Sequence, residues 1–274
     1  VTIRVPSPVS GISFMDSPAD SNRQPWYSEP LDCQPEKDFM VNNCIKSIQH
    51  LLFPGFCLVC GRKAGGGRDL CCRCAAGLAY NQNPCRCCAL PLPATSKPGS
   101  LCGACQNHQR PYEKVTAPCL YEGEIQRLHQ AFKFHRKLSA GRLLSELLCD
   151  AIESSDLPRP KLLIPVPLHP SRVRQRGFNQ AMELARLVSR QLDIPVDQFC
   201  IRRCKATAPQ SGLSKRERIG NIRGAFAIKR PVKAEHVAII DDVMTTGMTI
   251  EQVAQVLRRH GVRRIDAWVV ARRP

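Results

Sequence analysis

Residues 236–250 read HVAIIDDVMTTGMTI, and the plan of the chain can be worked outward from them. Val237, Ala238, Ile239 and Ile240 make an apolar run too short for a bilayer and the right length for a buried strand. Asp241 and Asp242 sit where that strand would end, and Thr245, Thr246, Gly247, Met248 and Thr249 form a small, hydroxyl-rich turn. The spacing then predicts a helix. Thr249 and Gln252 are placed as a capping box, Val253, Val256 and Leu257 recur at helical intervals, and Gly261 stands at the C-terminal cap.

Such a unit is a device for holding a phosphorylated sugar. In an open parallel sheet, ligands bind off the carboxyl ends of the strands. A helix N-terminus offers unpaired N–H groups and a positive dipole end to a phosphate. Gly247 lets the backbone come close, and the two carboxylates can accept bonds from sugar hydroxyls or face a phosphate-bound Mg²⁺. The same residues resemble the phosphoribosyl pyrophosphate (PRPP) motif of type I phosphoribosyltransferases: apolar residues, two acids, two spacers, then Thr-Gly-x-Thr. The match runs from Ile239 to Thr249 without a departure.

The chain has 274 residues, room for a good core and one accessory module, and contains no apolar run long enough to span a membrane. Val1 to Phe39 is rich in Pro, Ser and Asp and lacks the pattern of a secretory signal, and residues 1–47 read as a disordered extension. The net charge of +17 is uneven: residues 1–53 carry −2, 54–160 carry +6 and 161–274 carry +13. A basic surplus on the nucleotide-binding half fits a polyanionic partner, and equally a solvated, soluble face.

Sixteen cysteines would be a disulfide framework in a small secreted chain. Here eight stand as CxxC pairs, Cys57/Cys60, Cys71/Cys74, Cys85/Cys88 and Cys102/Cys105, which points to metal ligation in a reducing cytoplasm. Two such knuckles complete a tetrahedron, so the eight thiols imply two structural Zn²⁺. Short loops favour sequential closure, 57/60 with 71/74 and 85/88 with 102/105; an interleaved cross-brace is the alternative. Cys72 and Cys87 are spare neighbours inside the knuckles.

In the remaining half, Ala117 to Tyr121 reads as a short strand and Glu124 to Ile152 as a helix or helical pair carrying the cations Lys133, His135, Arg136 and Lys137. Lys161 to Pro167 reads as a second buried strand, followed by a basic loop and the amphipathic helix Gln180 to Leu192. In phosphoribosyltransferases the equivalent loop holds pyrophosphate, which makes Arg172, Arg174 and Arg176 candidate donors through their planar forks. Ile201 to Cys204 leads into the polar loop KATAPQSGLS, a candidate lid with Lys205, Thr207 and Gln210 as its working residues. Arg263 to Ala271 closes the sheet as a last strand.

The run LLFPGFCLVCG (51–61), the CxxC pairs, LHQAFKFHRK (128–137), IPVPLHPSRVRQRGFNQA (164–181) and KATAPQSGLSKRERIGNIRGAF (205–226) together resemble the ComF family of the ComFC/GntX type over residues 48–274. The resemblance implies an α/β chain: a double zinc ribbon at 48–111, then a type I phosphoribosyltransferase-like parallel sheet flanked by helices at 112–274. It implies a cytoplasmic protein with a role in DNA uptake, handling incoming single-stranded DNA in transformation or using DNA as a nutrient, at the inner face of the membrane through DNA-uptake machinery. It also implies a PRPP site with Asp241 and Asp242 on the ribose hydroxyls, Thr245 to Thr249 on the 5-phosphate, Arg172 and Arg176 on the pyrophosphate, and Mg²⁺ entering with PRPP. An active transferase delivering ribose 5-phosphate to a nitrogen acceptor, with Lys205 as a loop residue in the chemistry, is the other reading, and a zinc-ribbon adaptor with a ligand-sensing domain is a third.

Overall fold

The computed structural model describes residues 55–65, 67–205 and 224–274. The extension 1–47, Thr207, Gln210 and the helix expected at 215–222 lie outside the described residues.

Seven strands and seven helices follow in order among the described residues. Two short helices, α1 (Cys72–Ala76) and α2 (Gly103–Asn107), belong to the cysteine-rich region. Then come β1 (Lys114–Thr116), β2 (Cys119–Leu120), α3 (Gly123–His135) and α4 (Leu138–Glu153). The expected helical pair is therefore two helices, parted at Arg136, which adopts a left-handed φ of 52°. After β3 (Leu162–Pro165) the chain forms α5 (Pro170–Arg176) where a basic loop was expected. The reason is local: Pro170 fits the first turn, the His169 side chain accepts from Ser171 N, and Gly177 at φ 83° ends the helix. Helix α6 (Gln180–Leu192) has the expected bounds. The hairpin β4 (Ile201–Arg203) and β5 (Phe226–Ile228) precedes β6 (His236–Met244), α7 (Met248–Arg259) and β7 (Arg264–Arg272).

The main sheet is parallel, with β7 in the middle: β1 and β2 pair with its outer edge, β6 with its inner edge, and β3 with β6. The C-terminal segment thus lies inside the sheet and not at its rim, in keeping with its nearly continuous buried run. Alternation along β6 sends Val237 and Ile239 to one face and Ala238 and Ile240 to the other. The first face is covered by α7 and by Cys85, Cys88, Cys102 and Cys105; the second by α3, α4 and α6, with Cys57 and Leu70 at its margin. Each half of the cysteine region therefore packs on a different face. No described helix is long and apolar enough to cross a membrane.

Candidate functional site

Strand β6 runs past Asp241 and Asp242 to Met244, so both acids sit inside the strand instead of beyond its end. Period two then separates the neighbours. Asp242 lies beneath α3, where His129 Nε2 is 2.8 Å and Lys133 Nζ 3.9 Å from its Oδ2. Asp241 stands beside it in the strand, with Arg203 of β4 and Lys133 as cationic neighbours. Burial pushes the Asp241 carboxyl well above the usual range, and the charge of Asp242 adds to the push. At Asp242 burial acts upward too, but the His129 bond, the charges of His129 and Lys133 and the Val243 amide outweigh it and hold the carboxyl below its ordinary value.

After β6 the chain turns at Gly247, φ 80°, which is the N-cap of α7. A side chain there would need the left-handed region and would meet the Met244 methyl. The capping box expected at Thr249 and Gln252 does not form; glycine itself caps, so no side chain covers the first amides of α7. Thr245, Thr246, Gly247, Met248 and Thr249 all line one cavity of about 750 Å³, together with both acids.

Helix α5 also contributes to the wall. Arg172 and Arg176 line the cavity, and Arg203 joins them. Burial, then the charge of Arg172, lowers the Arg176 pKa, and burial with Arg172 and Arg176 does the same at Arg203. Cations crowded in this way are relieved by an anion. Gln180 is buried beside them: its Oε1 accepts from Arg176 Nη1 at 3.3 Å, and its Nε2 has no protein partner among the described residues. Asn179 explains the local geometry, donating to Val166 O at 3.0 Å while its Oδ1 accepts from Ala181 N at 3.1 Å, so one side chain ties the end of β3 to the start of α6. Arg136 donates to Arg176 O at 3.0 Å and clips the α3–α4 corner to α5.

Of the residues expected at the site, Arg174 and Lys205 are not on the cavity wall; Lys205 is exposed just past β4. Of the cationic cluster, Lys133 and Arg136 reach the cavity and His135 and Lys137 do not. His129, Tyr121, Gln180 and Arg203 are cavity residues that sequence reasoning missed. His129 and Lys133 stand one helical turn apart, the sole signal available.

The thiols gather as Cys57, Cys60, Cys71 and Cys74, and as Cys85, Cys88, Cys102 and Cys105, with all four sulfurs of each group within 4.8 Å of one another. That grouping follows chain order, and four convergent thiols suit tetrahedral Zn²⁺. Burial opposes ionisation of Cys57 and Cys85, yet backbone N–H donors bring them down to about 6 and about 7, towards the thiolate a metal requires. Cys72 and Cys87 stand outside both groups. Arg272, almost fully buried, connects the second group to the cavity: its Nε donates to Cys88 O at 3.2 Å, and its Nη1 to Met244 O at 3.0 Å and to Thr245 O.

A parallel sheet carrying a PRPP-like turn beneath a paired cysteine module defines a phosphoribosyltransferase-fold protein with a double ribbon. Comparison with known proteins agrees. The Double zinc ribbon domain matches residues 48–111, and the Phosphoribosyl transferase domain matches residues 179–274. DNA utilization protein YhgH of Escherichia coli O157:H7 is 33% identical over 227 residues, covering 81% of this chain and 99% of that protein. Competence protein F of Haemophilus influenzae is 36% identical over 178 residues, covering 62% of this chain and 78% of that one. Among solved structures, purine phosphoribosyltransferase from Pyrococcus horikoshii is similar at 19% identity and a TM-score of 0.27, over 47% of this chain and 70% of that one. The chain belongs to the ComF family of double-zinc-ribbon, phosphoribosyltransferase-fold proteins.

Proposed function

We propose that this protein handles single-stranded DNA during its uptake or use, and binds PRPP in the cavity between α5 and α7. The observation that carries the PRPP reading is the lining of one cavity: an uncapped helix N-terminus, two acids and crowded arginines. A ribose with a phosphate at one end, a pyrophosphate at the other and a diol between them calls for those three kinds of group. In this reading Asp241 and Asp242 take the diol, the amides and hydroxyls of Thr245 to Thr249 the 5-phosphate, and Arg172 and Arg176 the pyrophosphate. Mg²⁺ would enter bound to the pyrophosphate. The two ribbons, residues 48–111, would each hold a structural Zn²⁺ and brace the domain at 112–274.

DNA handling is supported by the names of the relatives and by the cavity rim. There Lys133, Arg136 and Arg172 line the cavity along with Phe134, which is 65% exposed on a chain poor in aromatics and has Lys133 Nζ 5.8 Å from its ring centroid. An exposed ring beside cations is a stacking platform for an unpaired base. The protein would act in the cytoplasm, beside the uptake machinery.

A second reading, active transfer of ribose 5-phosphate to a nitrogen acceptor, is favoured by the cavity's size, which falls in the range of sites for drug-sized ligands. Tyr121 and Phe134 on its wall are left over after the PRPP contacts. The test is calorimetric titration of PRPP with Mg²⁺, with and without single-stranded DNA, beside an assay for PRPP consumption. Binding that disappears in Asp241→Asn/Asp242→Asn, while the circular dichroism spectrum is kept, supports the site; unchanged affinity in that variant removes it.

A further inference from the structure

Strand β6 delivers Asp242 to the underside of α3, and what it meets there is a chain of polar contacts within the cavity wall. Asp242 Oδ1 accepts from Val243 N at 2.8 Å, and Oδ2 lies 2.8 Å from His129 Nε2. The other ring nitrogen, His129 Nδ1, lies 3.2 Å from the Tyr121 hydroxyl, and the Tyr121 ring packs edge-on at 5.2 Å. An ionised carboxylate can only accept, so Nε2 carries the proton towards Asp242, and Nδ1 is left to share a hydrogen bond with the Tyr121 hydroxyl. His129 is 3% exposed at its side chain, whereas Asp242 keeps 15%. The imidazole is therefore too enclosed to touch a ligand freely, and the carboxylate it holds is not.

We propose that His129 is a positioning residue: its Nε2–H fixes the Asp242 carboxylate in the orientation that meets the diol of the bound sugar, with Tyr121 holding the ring in turn. The role rests on the PRPP reading of the cavity.

Two physical points favour positioning over mere packing. Both ring nitrogens are committed to residues that line the cavity, while the apolar members of α3, Ile125, Leu128 and Phe132, fill the core below. And Asp242 has a competing partner: Lys133 Nζ sits 3.9 Å from the same oxygen, one turn along the helix. Without His129 the carboxylate is free to swing fully onto Lys133, away from the sugar. Fixing it before the ligand arrives removes an ordering cost from binding.

The test titrates wild type, His129→Leu, His129→Gln and Tyr121→Phe with PRPP, ribose 5-phosphate and pyrophosphate, with thermal melts of each protein. His129→Leu is expected to weaken PRPP and ribose 5-phosphate about 10–100-fold, the usual loss when an outer partner of a ligand-holding group is removed. Pyrophosphate has no diol, and its affinity is expected to stay within about twofold of wild type, since the arginines that hold it are untouched. His129→Gln, whose amide nitrogen reaches the place of Nε2, recovers most of the loss, and Tyr121→Phe costs a few-fold. An equal loss for all three ligands, or failure of glutamine to rescue, makes His129 a structural residue and overturns the proposal. So does unchanged sugar-phosphate affinity in His129→Leu. Wild-type protein that binds neither sugar phosphate overturns the sugar reading, and this role with it.

Discussion

At Asp241 burial and the neighbouring charge of Asp242 keep the carboxyl well above its ordinary pKa, while His129 and Lys133 hold Asp242 below its own. A raised acid costs stability increasingly as pH climbs from its unfolded value to its folded one; a depressed acid stabilises above its unfolded value and loses that only as pH falls through the folded value. Asp241→Asn is therefore expected to raise stability at neutral pH, with the gain fading towards about pH 4, where the unfolded carboxyl titrates. Asp242→Asn should instead cost about 1–3 kcal/mol at pH 7, because it leaves the His129 and Lys133 contacts without their charge. Urea unfolding at a series of pH values separates the two. Gln180 is a further case: its orphan amide nitrogen beside Arg176 predicts that Gln180→Ala weakens pyrophosphate about 5–20-fold with little change in unfolding midpoint. The acids were legible because strand, acid pair and turn are contiguous. His129 was not, because its partner is 113 positions away and only the folded sheet brings them together.

Among the elements, the cysteine region divides its duties. Its first half is tied to α4 by Arg68 with Asp150 and by Arg142 with Asp69, both at 2.5 Å. Its second half reaches the PRPP-like turn, through Arg272 to Met244 O and through Tyr112, whose hydroxyl lies near Gly247. Loss of metal from the second half should then loosen the turn, and loss from the first should not. Cys102→Ser is expected to weaken PRPP at least about 10-fold, and Cys60→Ser to leave it nearly unchanged, with zinc content measured alongside in each. Arg272→Met, which keeps the stem and removes the donors, should resemble Cys102→Ser in affinity while retaining its zinc. Several elements here could be read in advance and some could not. Helix α6 shows a clear apolar stripe, and its bounds followed. Helix α5 reads as a loop in the sequence because its run of arginines hides the ordinary start and stop signals of Pro170 and Gly177. The central place of β7 shows in its nearly continuous burial once folded, but strand order is a property of pairing, which periodicity along one strand does not carry.

For the molecule as a whole, the +17 charge means that any nucleic-acid contact is dominated by phosphates. If the strand crosses the rim near Lys133, Arg136, Arg172 and Arg176, about three to five phosphates are met, and the logarithm of affinity should fall with that of salt at a slope of roughly −2 to −4. Phe134→Ala is expected to reduce oligo(dT) affinity by about 1–3 kcal/mol, seen in fluorescence anisotropy, without altering the salt slope. Both outcomes rest on the cavity and its rim forming one continuous polyanion site. The most direct test is a crystal structure of the protein grown with PRPP and Mg²⁺. The account predicts the 5-phosphate on the amides of Thr246 to Thr249, the pyrophosphate against Arg172 and Arg176, and the ribose hydroxyls on Asp241 and Asp242; PRPP bound elsewhere, or that turn left bare at saturating PRPP, would contradict it.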